Sequence, residues 1–199
     1  MKRCLVVVSL VVLLLVPALT AAAADKPAPP RMKPALLVMD VQNAWLPYMD
    51  EHDKKVGMEH INWAIDLFRD NGFPVIRVYH TDPVNGPAPG TEAFEFPKTV
   101  TIRDDDPKIV KNYGSAFKKT ELDKMLREQG VNTVFLVGLS AVGCVLATYH
   151  GADDLDYKVF MVKHALISHD AALTRSVYDI CSNISPSALK LLLETARAQ

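Results

Sequence analysis

Cysteine is scarce in this chain: Cys4, Cys144 and Cys181 are the only three in 199 residues. So few thiols exclude a disulfide-stapled scaffold, and a chain of this length can bury an apolar core large enough to do without one. Net charge is almost lacking as well, at −1, and no long basic run occurs, so no extended surface for nucleic acid is expected. Internal repeats are absent, which argues against a solenoid. What the chain has in quantity is apolar material, 49% of its residues, enough for one well-filled domain.

The amino terminus is a different kind of sequence. MKRCLVVVSLVVLLLVPALTAAAADKP opens with Lys2 and Arg3, continues through an apolar run from Leu5 to Leu15, and passes Pro17 into small residues. This pattern predicts a signal peptide over residues 1–24, cut near Ala23 or Ala24. The run is short against the ~20 apolar residues of a membrane span. The expectation is therefore an exported protein, periplasmic or secreted, with no stable membrane insertion after cleavage. Cys4 precedes the apolar run and is not placed as a lipoprotein acceptor. Cleavage leaves 20 basic residues against 23 acidic and two cysteines, which could pair or stay free. The proline-rich DKPAPPRMK (25–33) reads as a linker to a single domain over 34–199.

Within that domain PALLVMD (34–40), FPVIRVYH (73–80), NTVFLVGL (132–139) and YKVFMVKHAL (157–166) are short apolar runs of the kind buried on both faces of a parallel sheet. Helical spacing of Ile61, Ala64, Ile65 and Phe68 predicts a helix over about 54–71, stopped at Asn71-Gly72. Residues 81–107, with five prolines and two glycines, read as a long loop, and 108–110 as a short strand. Thr120 and Asp123 suggest a capping box for a helix ending at Gly130. Further helices are expected over 142–154 and from Ser185 onward. Alternating strands and helices imply right-handed βαβ units and a three-layer α/β/α fold, with a mostly parallel sheet of five to six strands.

Ligands of such sheets bind beyond the carboxyl ends of the strands. Asp40, Lys111 and Cys144 all fall there. A thiol is nucleophilic as thiolate, and a helix start or a nearby ammonium favours that form. Cys144 is therefore either a nucleophile or a small buried hydrophobe. Asp40 is either a proton acceptor or a strand end capping a turn. Position alone does not select Lys111 over Lys108.

ALLVMDVQNAW, KNYGSAFKKTELDKML and GLSAVGCVLATYHGADDLDYKVFMV, in that order, resemble the isochorismatase-like (cysteine) hydrolase superfamily across about 34–165. The resemblance implies Asp40 as general base, Lys111 as the triad lysine that stabilises charge, and Cys144 as nucleophile. It implies a non-proline cis peptide at Leu139–Ser140, with the backbone amides of Ser140 and Cys144 as oxyanion hole. Retention of the cysteine points to hydrolysis of a C–N bond in a small amide-like molecule through a thioester. The alternatives are an enol ether hydrolase of the isochorismatase type, a non-catalytic binder on the same scaffold, and a thiol protein whose Cys144 serves redox chemistry; a native Cys144–Cys181 disulfide would favour a redox or structural reading.

The resemblance also implies a pocket built partly by the loop after the first strand, which singles out Trp45 as a substrate contact, and a homo-oligomer. Nicotinamidases of the superfamily hold a metal with an Asp-x-His pair after the second strand. Here that stretch reads VYHTDPVNG, with Val78 at the aspartate position and His80 alone, so no metal and no other cofactor is expected. His80 is expected to be a pocket-wall or strand-end residue, Cys181 buried and inert, and His164 and His169 without a role.

Overall fold

The computed structural model describes residues 31–198, which belong to one compact unit. The signal-peptide segment and most of the linker lie outside the described residues. Six strands form one sheet: β1 (Pro34–Met39), β2 (Val75–His80), β3 (Lys108–Lys111), β4 (Thr133–Leu139), β5 (Lys158–Ile167) and β6 (Asn183–Ile184). Their order is β3-β2-β1-β4-β5-β6, and every neighbouring pair is parallel. The helices are α1 (Glu51–Asp70), α2 (Leu122–Glu128), α3 (Leu146–Asp153), α4 (Ala171–Ile180) and α5 (Pro186–Arg197).

The continuous apolar runs have the cause the sequence suggests: the central strands are covered on both faces. Along β1 alternate residues enter different cores. Leu37 and Met39 pack with Leu126 of α2 and Val177 of α4, whereas Leu36 and Val38 pack with Ile65 of α1 and Leu193 of α5. Each aliphatic side chain fully buried this way contributes about 1.5–3 kcal/mol. The three-layer expectation and the parallel sheet hold, and the sixth strand exists as a two-residue edge.

Local departures have identifiable causes. Helix α1 starts earlier than its apolar spacing suggests, because the Asp50 carboxylate accepts the amides of His52 and Asp53 at 3.0 Å each. The capping box at Thr120 does not form. Its hydroxyl accepts the amide of Leu122 at 3.3 Å, not that of Asp123, while donating to the Ala116 carbonyl at 2.5 Å, and the Asp123 carboxylate accepts from Tyr157 and Arg127. The segment between β2 and β3 has no regular element but is tied down. Asn62 and Arg69 of α1 hold its later part through Thr99, Thr101 and Asp106, and Phe94 and Phe96 stack on Tyr79 at 4.9 and 4.5 Å.

Candidate active site

Parallel register brings the strand ends into line. Met39 is opposite both Val78 and Gly138, and His80 is opposite Lys111. Asp40 follows directly after β1 with φ of 51°, a left-handed turn that aspartate tolerates better than most residues. Cys144 lies beyond β4 in a widened turn over Ala141–Val145, not in the first turn of an ordinary helix. There the Ser140 carbonyl accepts the amides of Gly143 and Val145, at 2.9 and 3.2 Å, and passes over the amide of Cys144 between them. The Leu139–Ser140 peptide is cis. At Gly138, φ is +112° and an added Cβ would sit 2.2 Å from the Met39 carbonyl oxygen, so β1 and β4 approach this closely only with glycine there.

The three residues singled out by position come together. Lys111 Nζ donates to Asp40 Oδ2 at 2.8 Å, and both side chains are sealed from solvent, 0% and 2% exposed. Ligating atoms of Asp40, His80 and Cys144 all lie within 4.8 Å of one another. Asp40 Oδ1 is buried with no hydrogen-bond partner among the described residues. Lys111 and not Lys108 meets this carboxylate: the Lys108 ammonium lies over the ring of Tyr79 at 4.3 Å. Cys144 and Cys181 are both free thiols; Cys181 ends α4 and is buried in the core.

Electrostatics at the site reverse one expectation. Burial, with the Asp40 carboxylate adding to it, pushes the Cys144 thiol up to about 12, and the Lys111 ammonium opposes this only in part. A preformed thiolate is therefore not the resting state. Burial also raises the Asp40 carboxyl above its ordinary range against the pull of Lys111, which makes it a stronger base toward a neighbouring S–H. His80 is lowered, first by burial and then by Lys111, so its imidazole is neutral near pH 7.

A cavity of about 230 Å³ opens onto these groups, walled by Trp45, Met49, Leu139 and Gly143 together with His80 and Ser140. That is small beside the ~300–1,000 Å³ of common ligand sites and suits a compact substrate. Trp45 packs beside His80 in its wall, with ring centroids 5.9 Å apart. Phe94 and Phe96 belong to the core, and Tyr48 is 73% exposed.

Sequence reasoning passed over Gln42, which is fully buried. Its Oε1 accepts the His80 amide at 2.8 Å and the Trp45 indole N–H at 3.3 Å; its Nε2 donates to the carbonyls of His80 and Phe94 at 3.0 and 2.8 Å. One amide thus fixes two pocket walls. A polar residue two positions beyond Asp40, in a segment otherwise destined for the interior, was the available signal.

Asp40, His80 and Cys144 are the one group of ligating side chains among the described residues close enough to share a metal ion. They do not fit one. The Lys111 ammonium lies 2.8 Å from Asp40 and 3.1 Å from His80 Nδ1, so a cation would meet a fixed positive charge at two of its three ligands.

The Isochorismatase domain family model matches residues 34–180. An uncharacterized isochorismatase family protein of Bacillus subtilis, YrdC, is 30% identical over 142 residues, which cover 67% of this chain and 73% of the relative. A cysteine hydrolase from Pseudomonas syringae superposes with a TM-score of 0.73 at 18% identity, over 84% of this chain and 95% of the other. The pyrazinamidase of Pyrococcus horikoshii in complex with zinc superposes with a TM-score of 0.68 at 23% identity, over 77% and 99% of the two chains.

Proposed function

Because this chain belongs to the isochorismatase family of hydrolases, we propose that it cleaves the C–N bond of a small amide-like molecule through a thioester on Cys144, without a metal. The observation that carries this reading is the meeting of Asp40 and Cys144 in the wall of the Trp45 pocket, with buried Lys111 hydrogen-bonded to Asp40.

The chemistry follows from the electrostatics. Asp40 takes the S–H proton as Sγ attacks the substrate carbonyl carbon, so ionisation and bond formation occur together. General-base assistance of this kind contributes about 10²–10⁴ in rate. The C=O π electrons move onto oxygen, which the amides of Ser140 and Cys144 receive. Collapse restores the carbonyl and breaks the C–N bond, and the departing nitrogen leaves with the proton from Asp40. Water then attacks the thioester while Asp40 removes its proton; the carboxylic acid departs and the proton returns to sulfur. Lys111 favours the charged carboxylate between steps.

The basic start and apolar run of residues 1–24 support an enzyme acting outside the cytoplasm. The test of the reaction is a panel of small amides, ureas and enol ethers with products identified by mass spectrometry. An amide or urea should be cleaved, and Cys144→Ser should lose about 10³-fold or more in turnover. A Cys144→Ser enzyme with full activity, or cleavage of enol ethers alone, would end the thioester mechanism.

A further inference from the structure

His80 is a polar group of the pocket that the mechanism leaves idle, and its position is fixed from three sides. Its backbone N–H and carbonyl are both bound by the Gln42 amide, at 2.8 and 3.0 Å. Its Nδ1 lies 3.1 Å from Lys111 Nζ. An ammonium has protons to give and no lone pair, so Nδ1 accepts and the ring proton resides on Nε2. The ring is half-buried and forms part of the cavity wall beside Trp45. No hydrogen bond joins Nε2 to any described residue, which leaves this nitrogen of a cavity-lining ring free for a bound molecule. The charged groups acting on the ring are Lys111, Asp40 and Asp82: burial and the Lys111 ammonium favour the neutral imidazole, the two carboxylates oppose them, and the lowering side prevails.

We propose that His80 determines specificity by donating its Nε2–H to the substrate, so the substrates are small amides with a second hydrogen-bond acceptor beside the scissile carbonyl. This rests on the amide-hydrolase reading of Cys144. The physical basis is asymmetric: an amide lacking that acceptor would cover a donor in an otherwise apolar cavity and leave it unpaired, which binding penalises more than a good hydrogen bond rewards. The acceptor is a ring nitrogen or a carbonyl or carboxylate oxygen, because the Lys111 charge behind the ring gives Nε2–H a positive bias.

Two measurements test it without requiring turnover. In protein labelled with ¹⁵N-histidine, the His80 ring should show the Nε2–H tautomer at neutral pH. Benzamide and its pyridine analogues, with the ring nitrogen ortho, meta or para to the carboxamide, are then titrated into the intact protein. At least one analogue should bind about tenfold more tightly than benzamide. That preference should vanish in His80→Phe and return in large part in His80→Gln, which restores a donor. An Nδ1–H or doubly protonated ring, no analogue binding better than benzamide, or a preference that survives in His80→Phe would overturn the proposal. If His80→Phe does not fold, the tautomer and the wild-type preference still decide. Selective binding with no hydrolysis of any amide would sink the thioester mechanism and leave this proposal standing; hydrolysis without selectivity would do the reverse.

Discussion

Replacing Lys111 by methionine isolates what the buried ion pair does. The lysine side chain is fully enclosed and supplies the one hydrogen bond that either Asp40 oxygen receives from a described residue, so Lys111→Met leaves the carboxyl with none. An uncompensated buried charge of this kind costs about 3–5 kcal/mol, a large share of the ~5–15 kcal/mol that holds an ordinary domain together. The pH dependence has a definite sign. Without its cation, Asp40 is raised further above its unfolded value of ~3.9, so the folded state holds the proton more tightly than the unfolded one. Stability is then retained at low pH and lost as pH climbs through the raised folded value. Urea unfolding of wild type, Lys111→Met, Asp40→Asn and the double variant, at about pH 5 and about pH 8, reads this out. The loss in Lys111→Met should be larger at the higher pH, and adding Asp40→Asn should recover at least half of it. A loss below about 1 kcal/mol, as for a solvent-exposed pair, would refute the argument. So would a loss that does not change with pH.

Two further outcomes follow from the same geometry. Alkylation of Cys144 by iodoacetamide, followed on its peptide by mass spectrometry, should be slower than for a free cysteine near neutral pH. Its rate should still be rising above pH ~8.5, since the thiol stands at about 12; a plateau at or below ~8.5 would contradict the burial argument. Gly138→Ala should lower the melting temperature sharply, at a cost of about 3 kcal/mol or more, because its Cβ has 2.2 Å to the Met39 oxygen and the backbone is left-handed there. An unchanged melting point would mean that β1 and β4 can part.

The strands were legible because burial on both faces leaves a signature one residue at a time: PALLVM, TVFLVGL and KVFMV are apolar without alternation. Asp40, Lys111 and Cys144 were legible because a parallel sheet gathers its strand ends, whatever lies between them in sequence. What sequence did not show depends on several residues acting at once. The acidity of Cys144 is set by the enclosure of the whole pocket and by a carboxylate from another strand, so a local view of a thiol near a helix start gave the wrong direction. Gln42 reads as an ordinary surface amide until His80, Trp45 and Phe94 are placed around it. Thr120 offered a cap for the amide of Asp123, but its hydroxyl accepts the amide of Leu122 instead. The loop over 81–107 announced its irregularity, yet its anchors, Asn62, Arg69 and Arg77, lie on other elements.

The strand order has a consequence in time. Asp40 and Lys111 are 71 residues apart, on strands separated by β2, and Cys144 reaches them only when β4 pairs with β1. Parallel pairings across such distances are among the slower steps in protein folding. A chain still lacking the β1–β4 pairing holds at most the Asp40–Lys111 pair, and its thiol is unshielded and of ordinary acidity. Oxidants and stray electrophiles therefore find an easier opening in the newly made or unfolding chain than in the folded protein, where burial holds the thiol well above its ordinary range.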